Sequence, residues 1–207
     1  MGIDEINKYR IILASKSPRR RELLKDLGIK FEVTFSDWHE NYPSHLKGHE
    51  IAVYLAEEKA KSLRYMLHPG DIIITADTVV WCNGKVLDKP SDKQNAREII
   101  REISSNTHDV ITGVSLLSLN RQRSFFSSTK VTFTELTDEE IEFYISEFEP
   151  YDKAGAYGIQ EWIGLAACSF IEGSYFNVMG LPVEQVYHEL QQFIKGVEGA
   201  KTDPDFF

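Results

Sequence analysis

The run Asp71-Ile72-Ile73-Ile74-Thr75-Ala76-Asp77-Thr78-Val79-Val80-Trp81 constrains the fold more than any other stretch. Residues 72–76 are nearly all apolar, the pattern of a strand covered on both faces and therefore central in a sheet. Such a strand needs helices packed around it, so the chain reads as α/β. Asp77 lies in the middle of this stretch, where a carboxylate is costly unless it is paired or bound to metal. A strand-ending turn at Asp77 is a weak alternative, because Val79, Val80 and Trp81 continue the strand pattern. Asn83-Gly84 then signals a two-residue hairpin. Counting back from that turn places Cys82 opposite Lys85, Trp81 opposite Val86 and Val80 opposite Leu87. Two more steps bring Lys89 opposite Thr78. Asp77 and Lys89 then form either a polar pair at the mouth of a cleft or an ordinary surface ion pair.

A second organising stretch is Ile11-Ile12-Leu13-Ala14-Ser15-Lys16-Ser17-Pro18-Arg19-Arg20-Arg21-Glu22-Leu23-Leu24, read as strand, tight turn and helix. Ser17 suits the N-cap and Pro18 the first helical position, where a missing N–H costs nothing. Leu23, Leu24 and Leu27 form the apolar face, and Gly28 ends the helix. Three arginines in the first turn oppose the helix dipole, each by about 0.3–1 kcal/mol. Free N–H groups, two hydroxyls and three guanidiniums make an anion site suited to phosphate. The bland alternative is arginines that are solvated or paired with Glu22 and Asp26.

The rest of the chain alternates helix and strand. Residues 31–35 alternate as a strand, and a polar loop follows. A helix over residues 48–68 carries Ile51, Leu55, Leu63 and Leu67 as its stripe. Lys59 falls on that stripe, and snorkelling along the helix is favoured over a reach into a cleft. A capping box at Ser91–Gln94 opens a helix buried through Ala96, Ile99, Ile100 and Ile103. Strands over 110–119 and 124–136 form a hairpin, and Thr137 to Glu140 caps another helix. The loop from Asp152 to Gln160 is rich in small residues that permit close backbone approach, and Asp152, Lys153 and Gln160 add polar contacts. A strand is expected over 165–171. A last helix bears Val183, Val186, Tyr187, Leu190 and Ile194, with a loose tail over 196–207.

The chain has 207 residues, 42% of them hydrophobic, enough for a single domain over 1–207. A net charge of −9 argues against nonspecific nucleic-acid or membrane binding, though an acidic protein can hold a local basic pocket. Two isolated cysteines form no disulfide framework or zinc site and fit a reducing, cytoplasmic compartment. No apolar run reaches the roughly 18 residues of a membrane span.

The motifs together resemble the Maf family of nucleoside triphosphate pyrophosphatases from about residue 11 to 190. They are Leu13 to Arg20, Leu55-Ala56-Glu57-Glu58-Lys59-Ala60, Ala76-Asp77-Thr78-Val79-Val80, Asp88-Lys89-Pro90, Asp152 to Gln160, and Val178-Met179-Gly180-Leu181-Pro182. The resemblance implies a mixed, elongated sheet flanked by helices, with two lobes around a central cleft, as in inosine triphosphatases. It also implies metal-dependent hydrolysis of a nucleoside triphosphate to monophosphate and pyrophosphate, with Mg²⁺ or Mn²⁺. Asp77 matches the catalytic general base. Ser15, Arg19, Lys59 and Lys89 match the phosphate-binding positions, and Glu40 beside Asp77 a metal position. Arg20, Thr78 and Gln160 match the branch acting on dTTP and UTP rather than methylated guanine nucleotides. A glutamine amide suits the O4 and N3–H edge of thymine or uracil. The family further implies a homodimer, and a non-catalytic regulator of septum formation is the competing role. The chain departs from the family pattern at His39, at Glu161 and Trp162, and at Ala166 to Cys168.

Overall fold

The structure, a computed structural model, describes residues 2–35, 37, 38 and 41–201, with side chains through residue 196. In chain order the elements are α1 (Ile3–Ile6), β1 (Arg10–Ala14), α2 (Pro18–Asp26), β2 (Phe31–Thr34), α3 (His49–Ser62), β3 (Asp71–Cys82), β4 (Lys85–Leu87) and α4 (Lys93–Ile103). There follow β5 (Thr107–Leu117), β6 (Gln122–Phe133), α5 (Asp138–Phe148), α6 (Trp162–Ala167), β7 (Cys168–Glu172), α7 (Tyr175–Met179) and α8 (Val183–Lys201). The seven strands form one mixed sheet in the order β2-β1-β3-β5-β6-β7, with β4 also paired to β3. β1 runs parallel to β2 and β3, and the remaining pairs are antiparallel.

β3 is the central strand, and its side chains alternate between two differently built faces. Ile73 and Val79 point toward α3, where they join Ala60, Leu63, Ile51, Ala52 and Leu55. Thr75 on the same face donates to the Ala56 carbonyl of α3 at 2.6 Å. On the other face Ile72, Ile74 and Ala76 pack with α2 and α8. Further along that face Val80 and Cys82 enter a separate core with α4, α5 and the 154–159 segment. Two apolar cores thus share one sheet face, and these are the two lobes.

The hairpin register matches the count from Asn83-Gly84, with Val80, Trp81 and Cys82 opposite Leu87, Val86 and Lys85. β4 ends at Leu87, so the ladder stops before Lys89 reaches Thr78. The α4 stripe is buried at all four expected positions, but its N-cap is Asp92, which accepts from Asn95 N. The Thr137–Glu140 capping box is present as expected.

Three expectations need correction. The helix expected over 48–68 ends at Ser62 and gives way to a tighter turn, Arg64–Met66. The strand expected over 165–171 is divided between α6 and β7. Ile163 and Ala167, four apart, are buried while Leu165 is 84% exposed, a helical pattern that a short apolar run hides. The last helix continues to Lys201, past the start of the expected tail, and residues 202–207 lie outside the described residues. α1 at the N-terminus was not expected; it buries Ile6.

Candidate active site

The cleft opens where β3 loses a neighbour. β1 pairs with β3 as far as Ile74, and β4 begins at Val80. Between them, residues 75–79 are paired by β5 on one side only. A cavity of about 930 Å³ lies along this open edge, walled by the β1–α2 turn, Lys59, residues 76–80, Lys89, residues 152–160 and residues 178–180.

The turn is built as its sequence suggests. Ser17 caps α2 by accepting from Arg20 N at 3.4 Å, and its own N–H donates to Ser15 Oγ at 3.2 Å. Pro18 occupies the first turn. Ser15 is buried yet lines the cavity.

Asp77 is buried, at 8% exposure. Lys59 reaches off α3 to donate to its Oδ1 at 2.5 Å. Lys59 therefore points into the cleft and does not snorkel, because a buried carboxylate on the facing strand offers it a partner. Gly113 makes this approach feasible. It lies directly opposite Asp77 in the β3–β5 ladder. A Cβ there would stand 2.3 Å from the Ala52 carbonyl carbon and oxygen of α3. A glycine inside a strand pattern is the signal that marks such a close approach.

Thr78 faces the opposite side, at the seam between the two lobes. Arg20 crosses from α2 to meet it. Arg20 Nη2 donates to Thr78 Oγ1 at 2.9 Å, Nη1 to the Ala76 carbonyl at 2.8 Å, and Nε to the Gly180 carbonyl at 2.7 Å. One guanidinium thus ties α2, the open edge of β3 and the turn before α8. Behind Thr78 the seam is polar throughout: Thr78 Oγ1 is 3.0 Å from Thr112 Oγ1, and Thr112 donates to the Asn177 carbonyl at 3.2 Å. Asn177 Nδ2 in turn donates to the Val110 carbonyl and Thr129 Oγ1, both at 2.9 Å.

The remaining wall carries a chain of charges. Arg19 Nη1 lies 3.5 Å from Asp152 Oδ2, and Lys153 Nζ lies 2.7 Å from Asp152 Oδ1 and 3.3 Å from Glu161 Oε1. Tyr144 donates to Glu161 Oε2 and accepts from Gly158 N at 3.0 Å. Burial raises the Asp152 carboxyl, but the Lys153 hydrogen bond and the Lys153 and Arg19 charges outweigh it and leave it below its ordinary range. Burial, then Glu161, pushes the Tyr144 hydroxyl well up, so it stays a neutral donor. Beneath this wall, His108 Nε2 is 2.7 Å from Tyr157 OH, and burial lowers His108 to about 4.

Ser15, Arg19, Arg20, Lys59, Asp77, Thr78, Lys89, Asp152, Lys153 and Gln160 all line this one cavity. Among the described residues the Asp77 carboxylate is ion-paired with Lys59, where the hairpin count had suggested Lys89. His39 and Glu40 lie outside the described residues. Gly113, Thr112, Tyr144 and Glu161 carry structural roles around the site that the sequence reading did not assign.

The oxygen donors suit a hard cation. Asp77, Asp37 and Asp88 line the cavity, and Mg²⁺ characteristically takes one or two carboxylates together with substrate phosphates rather than a full protein cage. Among the described residues no group of three His, Cys, Asp or Glu side chains forms such a cage.

The family model described as Maf-like protein matches residues 10–193. The chain belongs to this family. A dTTP/UTP pyrophosphatase of Phocaeicola vulgatus is 54% identical over 191 residues, covering 92% of this chain and 99% of that one. Proteins of the same name from Bacteroides thetaiotaomicron and Porphyromonas gingivalis are each 47% identical, over 92% of this chain and 99% and 98% of theirs. Among solved structures, a nucleoside-triphosphatase / dITP/XTP pyrophosphatase from Mycobacterium abscessus is 12% identical, covers 91% of this chain and 97% of that one, and gives a TM-score of 0.44.

Proposed function

We propose that this Maf-like protein is an enzyme that hydrolyses dTTP and UTP to the monophosphate and pyrophosphate. The observation that carries the reading is the buried Asp77–Lys59 pair on the open edge of the central strand, facing a cavity rimmed by Arg19, Lys89 and the start of α2. The names of its relatives, at 44–54% identity over nearly the whole chain, agree with it.

Water attacks the α-phosphorus. The bond from that phosphorus to the α,β-bridging oxygen breaks, and pyrophosphate leaves with the electron pair. Asp77 takes the proton from the attacking water, with Lys59 on Oδ1 fixing the carboxylate's orientation. Arg19, Lys89, Ser15 and the first amides of α2 hold the phosphates. Arg20, Thr78 and Gln160 read the pyrimidine. A bound Mg²⁺ or Mn²⁺, held by Asp77 with Glu40 as a second candidate ligand, would supply charge neutralisation on the phosphate oxygens. The reading places the protein in the cytoplasm, with a nucleotide as its partner and a homodimer as its assembly. The net charge of −9 disfavours nucleic acid and membrane surfaces. No helix among the described residues is long and apolar enough to cross a membrane.

The test is pyrophosphate release from a panel of nucleoside triphosphates with Mg²⁺ or Mn²⁺. dTTP and UTP should turn over, and Asp77→Asn should lose at least about 10²–10³-fold in kcat while still binding nucleotide. Binding without turnover in the wild type under either metal would instead support a nucleotide-sensing regulator.

A further inference from the structure

We propose that Thr112, a fully buried residue behind the cavity wall, is a positioning residue that makes Thr78 a hydrogen-bond acceptor toward the cavity, so that the pocket selects pyrimidines with an N–H at N3. The inference rests on the nucleotide pyrophosphatase reading and deepens it. Its argument is the direction of protons along the seam. The Asn177 carbonyl can only accept; Gly180 N occupies one lone pair at 2.9 Å, and the Thr112 hydroxyl lies within donating distance of the other at 3.2 Å. With the Thr112 proton on that carbonyl, the arrangement that gives both hydroxyls of this closed seam an acceptor, Thr112 offers Thr78 a lone pair at 3.0 Å and the Thr78 proton points inward to Thr112. Arg20 Nη2 donates to Thr78 from the other side at 2.9 Å. The Thr78 hydroxyl is thereby spent as a donor, and only a lone pair remains for a ligand. Thr78 is part-exposed on the cavity wall, whereas its neighbours Asp77 and Val79 are buried.

The base edges of the pyrimidines differ at this point. Uracil and thymine carry a donor at N3, which a lone pair on Thr78 accepts. Cytosine carries a lone pair there, and two acceptors would face each other. Were the Thr78 hydroxyl free to rotate, it could donate to cytosine as readily as it accepts from uracil. Thr112 removes that freedom, and it does so from a position with no exposed surface. Gln160 is then left to donate its amide N–H to O4, which only the keto pyrimidines offer.

The experiment measures kcat/KM for pyrophosphate release from UTP and CTP in wild type, Thr112→Val and Thr112→Ser. The valine variant removes the buried hydroxyl at nearly constant volume. It should lower the UTP:CTP ratio by about ten- to a hundredfold, the range expected when one enforced acceptor–acceptor contact is relieved. The serine variant retains the hydroxyl and should keep the ratio within about twofold of wild type. A valine variant with the wild-type ratio, or a serine variant that loses the ratio equally, overturns the proposal. If Thr112→Val does not fold, Thr112→Cys, a weak hydrogen bonder of similar size, is read by the same criterion. If the wild type releases no pyrophosphate from any pyrimidine nucleotide, the enzyme reading fails separately. Calorimetric affinities for UTP and CTP then decide: tighter UTP binding that Thr112→Val levels supports the relay, and equal wild-type affinities overturn it.

Discussion

Replacing Gly113 by alanine tests how the Asp77–Lys59 pair is assembled. The residue lies opposite Asp77 in the ladder and does not line the cavity. Its added Cβ would lie 2.3 Å from the carbonyl carbon and oxygen of Ala52 and 2.5 Å from Val53 N. These are backbone atoms near the start of α3, so no side-chain rotation relieves the contact. Ordinary contact begins near 3.4 Å, so helix and sheet must part by about an ångström. Lys59 sits two turns along the same helix from Ala52 and moves with it. Its 2.5 Å bond to Asp77 would stretch beyond hydrogen-bond range or be kept only by bending the lysine chain. Overpacking of this kind costs about 1–3 kcal/mol. In a chain of this length that lowers Tm by roughly 2–12 °C. A shift of an ångström in a catalytic group can cost about a hundredfold in rate. The assay pairs thermal unfolding with pyrophosphate release from UTP. A Gly113→Ala protein with unchanged Tm and kcat within twofold of wild type would refute the claim that this glycine sets the distance between α3 and Asp77.

Further outcomes follow from the same contacts. Lys59→Met strips the buried Asp77 carboxylate of its ion-pair partner, and it should cost about 3–5 kcal/mol in chemical denaturation and abolish turnover. Glu161→Ala removes the carboxylate shared by Lys153 and Tyr144, so KM for nucleotide should rise severalfold with a smaller change in kcat, measured by steady-state kinetics. His108 is held neutral, its folded pKa lowered to about 4 from 6.5 by burial. The unfolded chain therefore binds the extra proton first, and stability is full above pH 6.5 and falls as pH drops toward 4. That loss reaches about 3 kcal/mol, and the difference in unfolding free energy between wild type and His108→Gln across this window should show it.

The fold was legible where pattern and chemistry agreed. The buried central strand, the hairpin register at Asn83-Gly84, the α4 stripe and the Thr137 capping box depend on near neighbours in sequence, and each appears where its residues place it. α6 was read as strand because the alternatives over 163–168 differ only in periodicity, and the run is too short to show one. Lys59 was read as snorkelling because a helix pattern by itself says which face a residue occupies and nothing of what lies opposite. Only the sheet supplies Asp77. The roles of Tyr144 and Glu161 were invisible for the same reason: Tyr144 meets Glu161 across the fold, and Glu161 meets Lys153 across the turn through Gly155 and Ala156, both at positive φ.

The position of the cleft follows from one property of β3. Successive residues on a strand face opposite ways, so Asp77 and Thr78 cannot serve the same side of the sheet. Asp77 turns toward α3, which spans the sheet as one unbroken helix and can hold a lysine against it. Thr78 turns toward the face where two cores meet, and there Arg20 bridges to the Ala76 carbonyl. A ligand along the unpaired edge of residues 75–79 meets both faces at once: a carboxylate for proton transfer on one and a directional hydroxyl on the other. In the proposed reading, separate sheet faces hold chemistry and base recognition, joined by a single peptide bond. Substitutions that loosen the Thr78 seam should therefore alter which nucleotide is used before they alter the rate of cleavage, and substitutions under α3 should do the reverse.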